Sequence, residues 1–228
     1  SRAKDGAVTV FILGKYATKD LEAEKNRIAA VFQEQLDAVS LPEGEGRSLL
    51  AQGDVIGATK KFIEAAAAAF GADIDNAEIK FERNINLAKN ALGKLTIVKL
   101  NDNLQTAPGE SFAEAFRARV ESDGRQQAHV PVVVSYQYKM PNGRMGTRRV
   151  ELLSDASGLL VFEHPKPDFV GKASLMMRLD LSSATEPLFR APPKLQSLIA
   201  GLEDEIAGKR AQFDYQVLSG ARTVPTAR

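Results

Sequence analysis

Hydrophobic positions along the chain change rhythm twice. Val8–Leu13 (VTVFIL) is a continuous β-branched and aromatic run between Gly6 and Gly14, which predicts a strand buried on both faces. From Leu21 the spacing turns helical. Leu21, Ile28, Phe32, Leu36 and Val39 share one face, Thr18 or Asp20 is placed to cap the start, and Leu41-Pro42-Glu43-Gly44 is expected to end the helix. Val55, Thr59, Phe62, Ala66 and Phe70 predict a second helix, opened by Gly53-Asp54 and closed by Gly71. A third carries Phe81, Ile85, Ala88 and Leu92, with Asp75 and Glu78 spaced as a capping box and Gly93 at its end. The alanines Ala65–Ala69 give the second helix a thin face, so the second and third helices are expected to pack closely as an antiparallel hairpin.

From Lys94 the texture is that of strands. Leu95–Leu100, Phe112–Val120, Val130–Lys139, Arg144–Leu153, Leu159–Glu163 and Ala173–Leu181 are short β-rich runs. Pro141-Asn142-Gly143 and Asp155-Ala156-Ser157-Gly158 supply the turn chemistry between them, and Asn101–Glu110 has the composition of a hinge. In the last run Ala173, Leu175, Met177, Leu179 and Leu181 face one way, while Lys172, Ser174, Arg178 and Asp180 face the other, which predicts a sheet with one wet side. After Pro192-Pro193 a helical stripe returns with Leu195, Leu198, Ile199, Leu202 and Ile206, and Phe213–Leu218 reads as a final strand. The expected fold class is therefore α+β. Both chain ends, 1–101 plus 183–228, form a helical α/β domain in which the first and last strands pair, and 102–182 form an inserted antiparallel β-sandwich.

At 228 residues the chain suits two modest domains or one domain with an insertion. Thirty Lys+Arg against 29 Asp+Glu leave +1, so no global field draws in nucleic acid or an anionic membrane. Cysteine is absent, which removes disulfides, thiolate ligands and thiol nucleophiles. No run of about 18 apolar residues spans a bilayer. The start at Ser1 and the polar run Gly220–Arg228 read as the cut ends of a processed or excised piece.

Val130, Pro131 and Val132, then Ser154, Asp155, Gly158 and Phe162, then Ala173 and Leu175 carry a pattern. It resembles the bacterial immunoglobulin-like modules and the related transthyretin-like modules, over about a third of the chain. There is no tryptophan and no cysteine pair, so the antibody type does not fit. Gly53-Asp54, Ala58, Phe62 and Ala65 resemble one tetratricopeptide unit. Taken together the segments are similar to bacterial envelope lipoproteins of the spirochaete type. That resemblance implies an Ig-like sandwich, a cell-envelope location (periplasmic or outer-membrane associated, with any lipid anchor upstream of Ser1) and a non-catalytic role with no cofactor. The expected function is a binding or structural module that recognises a protein or cell-wall partner through a rigid surface. Two alternatives stand beside it: a hydrolase of cell-wall or peptide substrates with a cleft between the domains, and a tetratricopeptide-like adaptor presenting Asn84 and Asn86 in a groove.

The residues themselves offer little reactive chemistry. His129 and His164, the two histidines, sit at strand ends where exposed histidine is common, and with Glu163 and Asp168 nearby the spacing still supplies no converging zinc ligands. Ser154, Asp155 and Ser157 lack the elbow of a serine nucleophile, and a turn accounts for Asp155 and Gly158. Gly44-Glu45-Gly46-Arg47-Ser48 has no phosphate-loop lysine and reads as an interhelical loop. The candidate binding residues are Tyr136, Tyr138, Arg144, Arg148 and Arg149, which with Lys139 make a basic, aromatic hairpin. The same cations would also blunt a sheet edge against aggregation, and that is the stronger reading of them.

Overall fold

The computed structural model describes residues 17–189 and 191–219, and of Ile199 only the backbone. The strand expected at Val8–Leu13, and its pairing with the last strand, lie outside the described residues. Helix α1 spans Thr18–Gln52 and runs straight through Pro42, so the expected stop at 41–44 is corrected. Proline inside a helix sacrifices one backbone hydrogen bond, and packing onto the next helix compensates. Gly46 lies so close to α2 (Val55–Ala69) that a Cβ there would fall 2.7 Å from the Phe62 ring. The helix ends instead at Gly53, whose φ of +89° turns the chain. Neither Thr18 nor Asp20 caps its start. Leu21, Ile28 and Phe32 remain exposed, and only Leu36 and Val39 of the predicted stripe meet the body of the protein.

Asp54 caps α2 by accepting the Gly57 N–H at 2.8 Å. The third helix, α3 (Ala77–Gly93), starts from Asn76 in the left-handed region rather than from a capping box. Ala65, Ala66 and Ala69 are buried, as the close-packed α2–α3 hairpin requires.

Among the described residues nine strands follow in two sheets. In one, β3 (Phe116–Ser122) pairs with β1 (Leu95–Lys99) on one side, and with β4 (Arg125–Gln126) and β7 (Leu159–Phe162) on the other. The second has the order β2 (Leu104–Thr106), β9 (Arg210–Val217), β8 (Gly171–Leu179), β5 (Pro131–Lys139), β6 (Met145–Leu153). Among its described strands β2 and β9 run parallel and the other pairs antiparallel. Rings cross from sheet to sheet: Phe116 of β3 lies 5.6 Å from Phe213 and 5.7 Å from Tyr215 of β9. The inner faces therefore pack on each other. A short helix α4 (Ser182–Thr185), a 3₁₀ turn and α5 (Pro193–Ile206) connect β8 to β9. One contiguous core joins α2, α3 and α5 to both sheets, and the chain is α+β.

The predicted boundaries place β1 and β9 on the helical side. In the structure both strands belong to the sheets: β1 pairs with β3, and β9 lies between β2 and β8. The cause is the period-two burial of β9, where Ala211, Phe213, Tyr215 and Val217 all point into the core. An apolar face of that length demands a second apolar face, and the opposite sheet supplies it.

Candidate functional site

The hairpin β5–β6 ends one side of the larger sheet, so β6 is an edge strand. Its register divides the predicted cluster. Tyr136 pairs with Arg148 and Tyr138 with Gly146, which puts Tyr136, Tyr138 and Arg148 on the inner face. Ser135 pairs with Arg149, so Arg149 is on the opposite, wet face, and Arg144 sits in the turn before β6. Three of the five candidates come together, and Arg144 and Arg149 do not join them.

Gly146 shapes the hairpin, because a Cβ there would meet the Tyr138 ring at 2.9 Å. The Arg148 guanidinium lies 4.5 Å from the centre of that ring. Arg148 and Val150 share the inner face yet stay exposed, since the smaller sheet does not extend over β6. The chain from β7 to β8 curls beneath them and brings His164, Lys166 and Asp168 to the same end of the sandwich. Between hairpin and loop lies a hollow of about 230 Å³. Arg148 and Lys166 provide two cations at its rim against the single carboxylate of Asp168, and none of the three forms an ion pair with a described residue.

The floor is His164, which the sequence placed at an exposed strand end and which is 9% exposed in the structure. The surrounding core explains the correction. Its ring packs edge-on against Tyr136 at 4.7 Å, Tyr215 at 5.1 Å and Phe112 at 5.3 Å. Nδ1 meets the Pro165 carbonyl oxygen, which only accepts, so Nδ1 carries the proton. Nε2 then accepts from the Tyr215 hydroxyl at 3.1 Å. Burial pushes His164 below the ordinary histidine range, partly offset by the Pro165 contact. Burial also pushes Tyr215 up to about 12, helped by Tyr136. Both ring nitrogens are spent on the fold, so His164 is a neutral floor and not a proton acceptor for a substrate. Tyr215 was legible as an inward residue of its strand, but its meeting with His164 depends on strand order in space.

The remaining sequence candidates resolve into structure. Asp155 Oδ1 accepts from Ser157 N, Ser157 Oγ and Leu159 N, completing the predicted turn. Ser154 is buried and clips two segments together, donating to the Gln127 carbonyl at 2.7 Å and accepting from Val130 N at 2.9 Å. Asn84 is fully buried, donating to Glu43 and to the Lys80 carbonyl, which removes the groove-facing role expected of it. His129 is exposed with φ +57°. No three His, Asp or Glu residues converge as metal ligands among the described residues, and no helix among them is long and apolar enough to cross a membrane.

No family model and no curated protein matches the chain. Among solved structures it is similar to a Pseudomonas fluorescens alkylpurine DNA glycosylase, AlkC, bound to DNA containing an abasic site analog. Identity is 12%, the match covers 72% of this chain and 47% of that one, and the TM-score is 0.25. The chain thus spans about half the length of the glycosylase chain. The comparisons give the expected function, a non-enzymatic module of a cell-envelope lipoprotein, no support, and that expectation is withdrawn. A likeness this slight puts no fold and no activity in its place.

Proposed function

We propose that the protein binds the anionic group of a small ligand, a carboxylate or a phosphate ester, in the hollow at the end of the sandwich. The observation that carries this reading is Arg148, held on the Tyr138 ring and without a carboxylate partner among the described residues, with Lys166 on the same rim. A guanidinium stacked on an aromatic ring keeps its N–H fork free for bidentate recognition of an oxyanion. A hollow of about 230 Å³ admits such a group with a small body.

We also infer that the two packed sheets form an immunoglobulin-like or transthyretin-like module. Support comes from the Asp155 turn and from Gly158, whose φ of +72° and close approach to Val120 and Gln127 leave no room for a side chain.

The test is an amide chemical-shift titration at low ionic strength with inorganic phosphate and with phenyl phosphate. The reading expects shifts gathered on 136–139, 146–148 and 164–169, fading as salt is raised. Shifts spread evenly over all exposed lysines and arginines, or none at millimolar phosphate, overturn it.

A further inference from the structure

A second hollow, of about 450 Å³, lies wholly among the helical elements, between the α2–α3 turn and α5. Its walls are the rings of Phe70 and Phe81, 5.6 Å apart, together with Leu198. Glu78 and Glu82, one turn apart on α3, stand exposed at the rim, and neither forms an ion pair with a described residue. Like charges at this spacing repel each other and gain from an arriving cation. The ammonium of Lys194 sits 5.5 Å from the centre of the Phe70 ring, so this aromatic face already holds a cation supplied by the chain itself.

We propose that this hollow binds a primary amine carried on an apolar body, such as an arylalkylamine. The body packs against the joined face of Phe70 and Phe81 and against Leu198, and the ammonium takes up Glu78 and Glu82. Charge decides the occupant: two carboxylates without an ion pair among the described residues against one lysine favour a cation over an anion, and the two rings favour an organic cation over a bare metal ion. Lys194 competes for the Phe70 face, so its removal should open the site. The inference shares no residue with the sandwich-end hollow and stands or falls separately from it.

The experiment titrates the whole chain at low ionic strength with phenethylamine. Its neutral analogue 2-phenylethanol and the oppositely charged 3-phenylpropanoate serve as comparisons, with amide shifts as the readout. The amine is expected to shift residues 70–82 and to bind about five-fold tighter than the alcohol, in line with a cation–π and ion-pair contribution at a partly exposed site. In the double variant Glu78→Gln/Glu82→Gln that preference falls below about two-fold, and Lys194→Ala tightens amine binding by about two- to five-fold. All three side chains are exposed, so thermal midpoints should stay at the wild-type value and report that the fold is intact. Equal affinity for amine and alcohol, tighter binding of the carboxylate, or no shift in residues 70–82 at about 10 mM amine overturns the proposal.

Discussion

Replacing Glu43 by glutamine removes a charge from the junction of α1 and α3, and the structure allows the cost to be worked out. The carboxylate accepts from Arg47 at 3.0 Å, from Arg83 and from Asn84 at 3.2 Å, and its side chain is 12% exposed. Burial pushes its pKa up, but the hydrogen bonds from Arg83, Arg47 and Asn84 outweigh burial and hold it below the ordinary glutamate range. Truncating a fully buried ion pair costs about 3–5 kcal/mol, because a charge is stranded. Here the arginine side chains are 54% and 47% exposed and rehydrate, which leaves the weakened charge-assisted hydrogen bonds as the main loss. Glu43→Gln should therefore cost about 2 kcal/mol, or about 4–8 °C in Tm for a chain of this size. The sign of the pH dependence follows from the depressed pKa. Stability from Glu43 is complete above the unfolded-state value near 4.3 and is lost as pH falls through the folded value. Urea denaturation followed by circular dichroism should show the full gap between wild type and variant at pH 7 and a shrinking gap below about pH 4. A variant as stable as wild type at pH 7, or a gap that persists in acid, refutes this account of the junction between α1 and α3.

Gly158→Ala should destabilise by about 1–3 kcal/mol in the same assay, since the new Cβ would meet the Val120 carbonyl oxygen at 2.8 Å in a left-handed backbone. For His164 the folded pKa lies below the unfolded value of about 6.5, so stability should fall as pH drops from there through the folded value. His164→Phe should abolish that slope and cost about 1–3 kcal/mol at pH 7 by stranding the Tyr215 hydroxyl; an unchanged slope in the variant would assign it elsewhere.

Periodicity carried most of the secondary structure, because alternating Val132, Val134 and Tyr136 or the Phe62 and Ala66 stripe must each find an apolar partner whatever the topology. Two errors show its limits. Pro42 carries a strong local stop signal, and tertiary packing of Gly46 on Phe62 overrode it. The terminal strand β9 was legible as a strand, but its neighbours were not, since strand order is decided by cross-sheet contacts such as Phe116 with Phe213. The site was half legible for the same reason. Tyr136, Tyr138 and Arg148 were visible as a basic aromatic hairpin, while the register that turns Arg149 away and the loop that adds His164 and Lys166 depend on pairing in space.

Arg148 is proposed as the anion receptor, while Arg149, its neighbour in sequence, lies on the opposite face and is not. Calorimetric titration with phenyl phosphate, comparing wild type, Arg148→Gln and Arg149→Gln at one low ionic strength, separates the two directly. The account predicts a loss of about ten-fold for Arg148→Gln, the size of one charge-assisted bidentate contact, and wild-type affinity for Arg149→Gln. Equal losses in both variants would reduce the effect to net charge and contradict the site.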